Sequence, residues 1–172
     1  TGSLSWAEPY RKRRSDARPV RRPLKRSYYR VPAAGGVNGS ILDLARFAQA
    51  QMGLQPDVLS AETLNDLHTP RIYTRREQSS MSRRYGGHLR EARYALGWRV
   101  YKYGVPGYRV VGHRGAVDGY RSLILFDPER QSGVVALWNS NSRKPVGVQF
   151  EVMDMIYDLA PKDWMGLDVN RG

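Results

Sequence analysis

The chain has 172 residues, a net charge of +12 and no cysteine. That length carries one domain with a real core, and 41% hydrophobic with 26% charged residues is ordinary for a globular protein. Zero Cys excludes disulfides and thiolate metal sites. No apolar run approaches the ~18 residues of a membrane-spanning helix, and Thr1-Gly2-Ser3 opens without the apolar stretch of a signal peptide.

The charge is unevenly spread. Residues 9–30 hold ten Lys/Arg against one Asp, and residues 71–93 hold seven Arg against two Glu, which leaves the remainder slightly acidic. Residues 1–32 carry four Pro and no sustained periodicity. They are expected to form a basic, extended segment tied down by Trp6, Tyr28 and Tyr29. Clustered Lys/Arg can release counterions from phosphate. No aromatic-interleaved RNA motif or helix-turn-helix accompanies the charge, so nucleic acid is not an expected partner.

Ala33-Ala34-Gly35-Gly36 is a turn, and a helix follows it. Ser40 is its N-cap, Asp43 completes a capping-box pair, and Gly53 closes it. Ile41, Leu44, Ala45, Ala48 and Met52 fall on one face at helical spacing. A second helix starts at the Ser60 cap and ends before Pro70. His68 at its end reads as a cation beside the helix dipole. Residues 71–93 are expected to be a mobile loop, in the position of a flap over a cleft, and His88 within them has no assigned role.

Residues 94–103 alternate well enough for one strand. Three further apolar runs, 109–112, 121–126 and 133–138, are rich in Val, Leu, Ile and Tyr and bounded by Gly, Asp or Pro. The last two flank a short polar turn and make an antiparallel hairpin. Pro145 is expected to open a last helix at its first position, with Val148, Val152, Met155, Ile156 and Leu159 on its apolar face and Pro161 as its stop. The expected class is α+β: four antiparallel strands, the last helix on one face and the Ser40 helix elsewhere. The expected divisions are a basic segment at 1–32, a domain portion at 33–160 and a weakly ordered tail at 161–172.

Three scattered His residues offer no compact metal-ligand spacing. The chain has no phosphate-binding Gly-x-x-x-x-Gly-Lys loop and no dinucleotide fingerprint. Gly35-Gly36-Val37-Asn38-Gly39 precedes a helix, but no Lys accompanies it for a phosphate. No metal and no cofactor are expected.

At the end of the 109–112 run stands His113-Arg114-Gly115-Ala116. Together with the hairpin that follows, and with the Gly-Gly turn and helix of residues 33–53, it resembles the third-motif strand of the serine β-lactamase, penicillin-binding protein and esterase superfamily. The nearest branch is the one related to class C β-lactamases. The resemblance implies the C-terminal portion of a β-lactamase/transpeptidase-like fold, with a further strand and a helical layer supplied from outside these residues. That portion alone would leave apolar sheet surface needing a partner segment.

The family's Ser-x-x-Lys and Tyr-x-Asn or Ser-x-Asn motifs are absent from the sequence. The resemblance therefore implies a serine hydrolase of an amide, ester or β-lactam whose nucleophile lies on an N-terminal part of the same protein, this chain alone being inactive. Its substrate would be a small acyl compound.

By resemblance, His113 takes the place of the third-motif Lys, Gly115 lets substrate approach the strand, and Ala116 donates its N–H to the oxyanion. Arg114 is expected on the opposite side of the strand, paired with Asp118. With Asn141 and Lys144 before the last helix, it is a candidate for substrate binding. His-x-Gly in place of Lys-Thr-Gly favours esterase or D-peptidase chemistry over β-lactamase chemistry. The resemblance also implies a periplasmic or secreted location over a cytoplasmic one. The alternative reading is a non-catalytic binding protein, or a basic module docking on nucleic acid or an anionic surface through residues 11–30.

Overall fold

The computed structural model describes residues 6–12, 18–23, 25–105 and 107–167, apart from the side chains of Arg26 and Tyr28. Its centre is one antiparallel sheet in simple meander order, β3 (Ile72–Tyr73), β4 (Leu89–Tyr94), β5 (Arg99–Tyr103), β6 (Tyr108–Val117), β7 (Tyr120–Asp127) and β8 (Ser132–Trp138). After the one-turn helix α1 (Pro32–Gly35), helices α2 (Ile41–Gln51) and α3 (Ala61–His68) supply one layer, and α4 (Arg75–Tyr85) and α5 (Val148–Ile156) the other. The expected α+β class is therefore what the chain adopts, with six strands in the sheet where four were expected.

The two extra strands come from segments read differently in the sequence. Residues 94–103 are not one strand. They turn at Gly97, whose φ of +78° only Gly adopts cheaply, and the Ala95 N–H donates to the Trp98 carbonyl at 2.8 Å. The expected flap at 71–93 is instead β3, α4 and β4. In α4, RREQSSMSRRY, charge hides the helical period, yet Met81 and Tyr85, one turn apart, are both buried. Leu89 and Ala92 continue that buried stripe into β4.

The capping reading of the first long helix holds. The Asp43 N–H donates to Ser40 Oγ at 3.2 Å and the Ser40 N–H returns to Asp43 Oδ2 at 2.8 Å. The Ser40 N–H and then the Ser40 hydroxyl, both donating to it, hold the Asp43 carboxyl below its ordinary pKa. Ala48 and Met52 are buried against Trp98, Val111, Ile124 and Phe126, while Ile41 stays exposed. Ser60 caps α3 as expected, accepting the Thr63 N–H at 3.1 Å. On the opposite face Tyr101, Tyr103, Val110, Leu125, Phe150 and Met153 pack together.

Helix α5 begins at Val148 after the Gly147 cap, so Pro145 lies before it in the preceding turn and not at its first position. It ends at Ile156, five residues ahead of Pro161. Its Asp154, 2% exposed, is a buried polar node. It accepts from Tyr103 Oη at 2.7 Å and Trp164 Nε1 at 2.5 Å, and lies 3.1 Å from His88 Nε2. His88 thus has a partner that sequence did not reveal. Trp164 belongs to residues expected to form a weakly ordered tail; it packs against the cluster under α5, while Pro161, Lys162, Gly166 and Leu167 are exposed and 168–172 lie outside the described residues.

The basic N-terminal segment is held by its backbone rather than by Trp6 and Tyr29, which are 64% and 50% exposed; the Tyr28 side chain lies outside the described ones. Strands β1 (Tyr10–Arg11) and β2 (Val20–Arg21) pair with each other. Tyr10 bridges Ser140 in parallel, its N–H donating to the Asn139 carbonyl at 2.9 Å. Among the described residues, β8 pairs only with β7, so its outer edge is open, and Leu42, Phe47 and Leu96 are exposed.

His68 corrects a further expectation. It is 3% exposed, and its Nε2–H donates to Gln51 Oε1 at 2.8 Å, with the Trp98 and Phe126 rings against it. Burial, and then the Arg109 charge, push its pKa down to about 4, so it is a neutral core residue and not a helix-end cation. An unfolded His takes up a proton below its ordinary value near 6.5, and the folded one does so only near 4. The unfolded state therefore binds more protons in between, and this stabilisation is full above pH 6.5 and declines as pH falls towards 4. Urea midpoints measured across that window should fall with acid in the native sequence and fall less in His68→Gln; equal slopes would contradict a neutral, buried His68.

Candidate active site

Strand β6 outruns one neighbour. Its last partner on β5 is Gly112, opposite Arg99, whereas its pairing with β7 continues to Val117 opposite Tyr120. Residues 113–117 therefore have a paired side and an open side. The two-residue turn Asp118-Gly119 closes on Val117 and Tyr120, and such a turn closes on a hydrogen-bonded pair. Hydrogen-bonded and non-bonded pairs alternate along an antiparallel ladder. His113, Gly115 and Val117 thus turn their backbone groups to β7, and Arg114 and Ala116 turn theirs to the open edge.

The side chains alternate in the same way. His113 stands opposite Ile124, a member of the cluster under α2, and is half-buried. Its Nε2 lies 3.2 Å from Tyr94 Oη. Burial is the main cause, with the Arg99 charge next, of a pKa lower than that of a free imidazole. The ring is therefore neutral at pH 7, poised to exchange a proton with a neighbouring hydroxyl. Gly115 lies opposite Ser122, whose Oγ occupies the space a Cβ at position 115 would need. The Gly35-Gly36 pair, expected as a turn, instead ends the one-turn helix α1, with Gly36 as its cap at a φ of −89°; it stands close by, since a Cβ on Gly35 would come within 4.0 Å of Val117 Cγ2.

Arg114 faces α4. Its Nη2 donates to Glu77 Oε1 at 3.2 Å, so its carboxylate partner is Glu77 and not the expected Asp118. Asp118 instead has Arg11 at 3.9 Å and Arg22 at 4.0 Å. Alongside the open edge lies a cleft of about 250 Å3, bordered by His113, Arg114, Gly115 and Ala116 on one side and by Ser122, Trp138 and Val146 on another.

Asn141 does not border the cleft. Its amide is spent on the backbone of Lys12, accepting the N–H and donating to the carbonyl, each at 2.9 Å. Lys144 is exposed and outside the cleft lining, whereas Arg143 beside it is part of that lining. Tyr94, Ser122 and Glu77 are the residues sequence reading missed here. Recognising the Gly97 turn would have aligned Tyr94 with Arg99 and Gly112, next to His113. Among the described residues no group of three or more His, Asp or Glu could hold a metal, and no helix is long and apolar enough to cross a membrane.

The chain is similar to known proteins in sequence and in fold. Residues 3–153 match the model of the family described as Beta-lactamase, a match that starts inside the basic N-terminal segment. The unguisins hydrolase ungD' of Aspergillus campestris is 28% identical over 140 residues, which are 78% of this chain and 24% of that protein. In fold the chain is similar to the octameric penicillin-binding protein homologue from Pyrococcus abyssi, with a TM-score of 0.69 and 22% identity. That likeness covers 90% of this chain and 31% of the other. The chain thus spans about a quarter of the curated relative's length and under a third of the structural one's.

The contact between positions 115 and 122 gives a direct test of the site's packing. Gly115→Ala should destabilise the fold by about 1–3 kcal/mol through overpacking, read from the urea midpoint. Adding Ser122→Ala should recover at least half of that loss, and an equal loss in both backgrounds would show that the two strands do not approach as described.

Proposed function

The chain belongs to the Beta-lactamase family, and from that premise we propose that it forms the His-x-Gly wall of the reaction cleft of a serine acyl hydrolase. The observation that carries the reading is the open edge of β6. There the backbone groups of Arg114 and Ala116 face outward beside a half-buried, neutral imidazole. In this proposal the nucleophilic Ser and its Lys lie on an N-terminal part of the same protein, consistent with the share of its relatives that the chain spans. The portions 1–32 and 33–160 then act as one wall, since the first is stitched to residues 139–141 of the second.

The Ser Oγ attacks the acyl carbonyl of an amide, ester or β-lactam, forming the Ser–O–C bond. The Ala116 N–H stabilises the oxyanion that develops, and the acyl group lies along the open edge beside it, the space over Gly115 being taken by Ser122 Oγ. The leaving nitrogen or oxygen departs with a proton, and water then releases the acid and regenerates the Ser. His113 accepts and returns a proton by way of the Tyr94 hydroxyl, 3.2 Å from its Nε2.

Arg114 and the Lys144 loop, through Arg143, bound the substrate side of the cleft. Asn141 fixes that loop against Lys12. The His-x-Gly triplet favours ester or D-amino-acid peptide substrates, and a relative named as a hydrolase supports the acyl-hydrolase class. A periplasmic or secreted site of action goes with this reading.

The full-length gene product, mixed with a fluorescent fluorophosphonate or penicillin, should label one Ser, located by peptide mass mapping. His113→Ala should slow that labelling by about 10²–10⁴ at an unchanged melting temperature. If no Ser in the intact protein is labelled by either reagent, the hydrolase reading fails.

A further inference from the structure

The cleft beside the open edge is bordered by five arginines that arrive from five places in the chain. They are Arg84 on α4, Arg99 on β5, Arg114 on β6, Arg121 on β7 and Arg143 in the loop before α5. Among the described residues one carboxylate answers them, that of Glu77, 3.5 Å from Arg99 and 3.2 Å from Arg114. Among the described residues, Arg84, Arg121 and Arg143 have no carboxylate within 4.0 Å.

Arg121 is half-buried and donates through Nε only to the Asn141 carbonyl at 3.3 Å. Its own burial and the charges of Arg143, Arg114 and Arg84 all weaken its hold on its proton. A further group waits at the end of α4. Tyr85 is 3% exposed and its hydroxyl has no hydrogen-bond partner among the described residues. That hydroxyl lies in the field of Arg84, Arg114 and Arg143.

Like charges converging on a concave surface repel one another and raise the local concentration of anions. A single carboxylate is matched by one bidentate guanidinium fork. With Glu77 already answering one charge, a monocarboxylate would leave most of the remaining guanidinium charge uncompensated. The cleft's volume, about 250 Å3, lies just under the ~300–1,000 Å3 of ordinary small-molecule pockets. It suits an end group and not a polymer.

We propose that this arginine-lined cleft receives the anionic end of the acyl substrate, and that this end carries two or more negative charges, as a phosphate monoester or two adjoining carboxylates do. The inference rests on reading the open edge of β6 as the acyl-substrate edge. It adds what the acyl group is attached to: a multiply charged group seated between Arg121 and Arg143, with the scissile carbonyl near Ala116.

Unreactive anions test it without asking for turnover. The full-length protein is titrated calorimetrically at fixed ionic strength with acetate, inorganic phosphate and succinate. At least one dianion should bind ten or more times tighter than acetate, phosphate pointing to a monoester and succinate to paired carboxylates. The double variant Arg121→Gln/Arg143→Gln should lose at least tenfold in that affinity, and Arg46→Gln, on the exposed side of α2, should lose none.

Should the double variant not fold, Arg143→Gln alone, at an exposed loop position, should weaken the dianion at least threefold. Acetate binding as tightly as both dianions, or dianion affinity untouched by the Arg143 change, would overturn the proposal. Serine labelling retained alongside either of those results sinks this inference alone. Dianion binding retained without any labelled Ser sinks the hydrolase reading alone.

Discussion

Everything in this structure follows from the register of β6 against β7. The pair stays in phase for seven residues, from Val111 opposite Phe126 to Val117 opposite Tyr120. A slip of one residue would exchange the two faces of β7 relative to β6. Ile124 would then leave the cluster under α2, and Leu125 the cluster under α5. Because both faces are buried, that exchange is costly, and the register is correspondingly well specified. The same register fixes which backbone groups point away from β7 beyond the end of β5, so the packing of the core and the chemistry of the open edge are one constraint.

Two buried carboxylates tie the second layer to this sheet. Asp154 on α5 gathers Tyr103, Trp164 and His88. Asp127 at the end of β7 accepts Tyr157 Oη at 2.7 Å and the N–H groups of Glu129 and Arg130. Each is 2% exposed, and each satisfies its oxygens with directional donors, as a buried carboxylate must. Their phenol partners are pushed well above the ordinary tyrosine range by burial and by the neighbouring carboxylate, so they remain donors at any pH the fold survives. The Tyr157 ring stacks on Tyr108 with centroids 3.9 Å apart, which seats the end of α5 against the start of β6.

Charge is arranged differently from packing. The many arginines do not simply coat the surface. Some neutralise Glu8, Asp118 and Asp66 at the periphery, while five turn into one cleft around a single Glu77. Helix α4 is central to that difference, because it brings Arg84 to the cleft and Glu77 to two of the cleft's arginines while burying Met81 and Tyr85. A segment whose composition reads as solvated loop is in the fold a wall between the core and the cleft.

The sequence by itself determined the α+β class, the caps of α2 and α3, the hairpin of β7 and β8, and the triplet of His113, Gly115 and Ala116 on a strand. These rest on local chemistry: a Ser that can accept its own helix's N–H, apolar residues at period two, and Gly where backbone must pass closely. It did not determine what depends on distant partners. Residues 94–103 looked like one strand because their alternation continues through a turn that one Gly imposes. Helix α4 was hidden because two apolar side chains suffice once a sheet lies beneath it. His68 read as a cation because only tertiary packing brings Gln51, Trp98 and Phe126 around it. The tertiary structure alone decided that β6 extends past β5 and that five arginines share one cleft, since strand register and the convergence of remote side chains are set by the packing of the whole sheet and not by any run of residues within it.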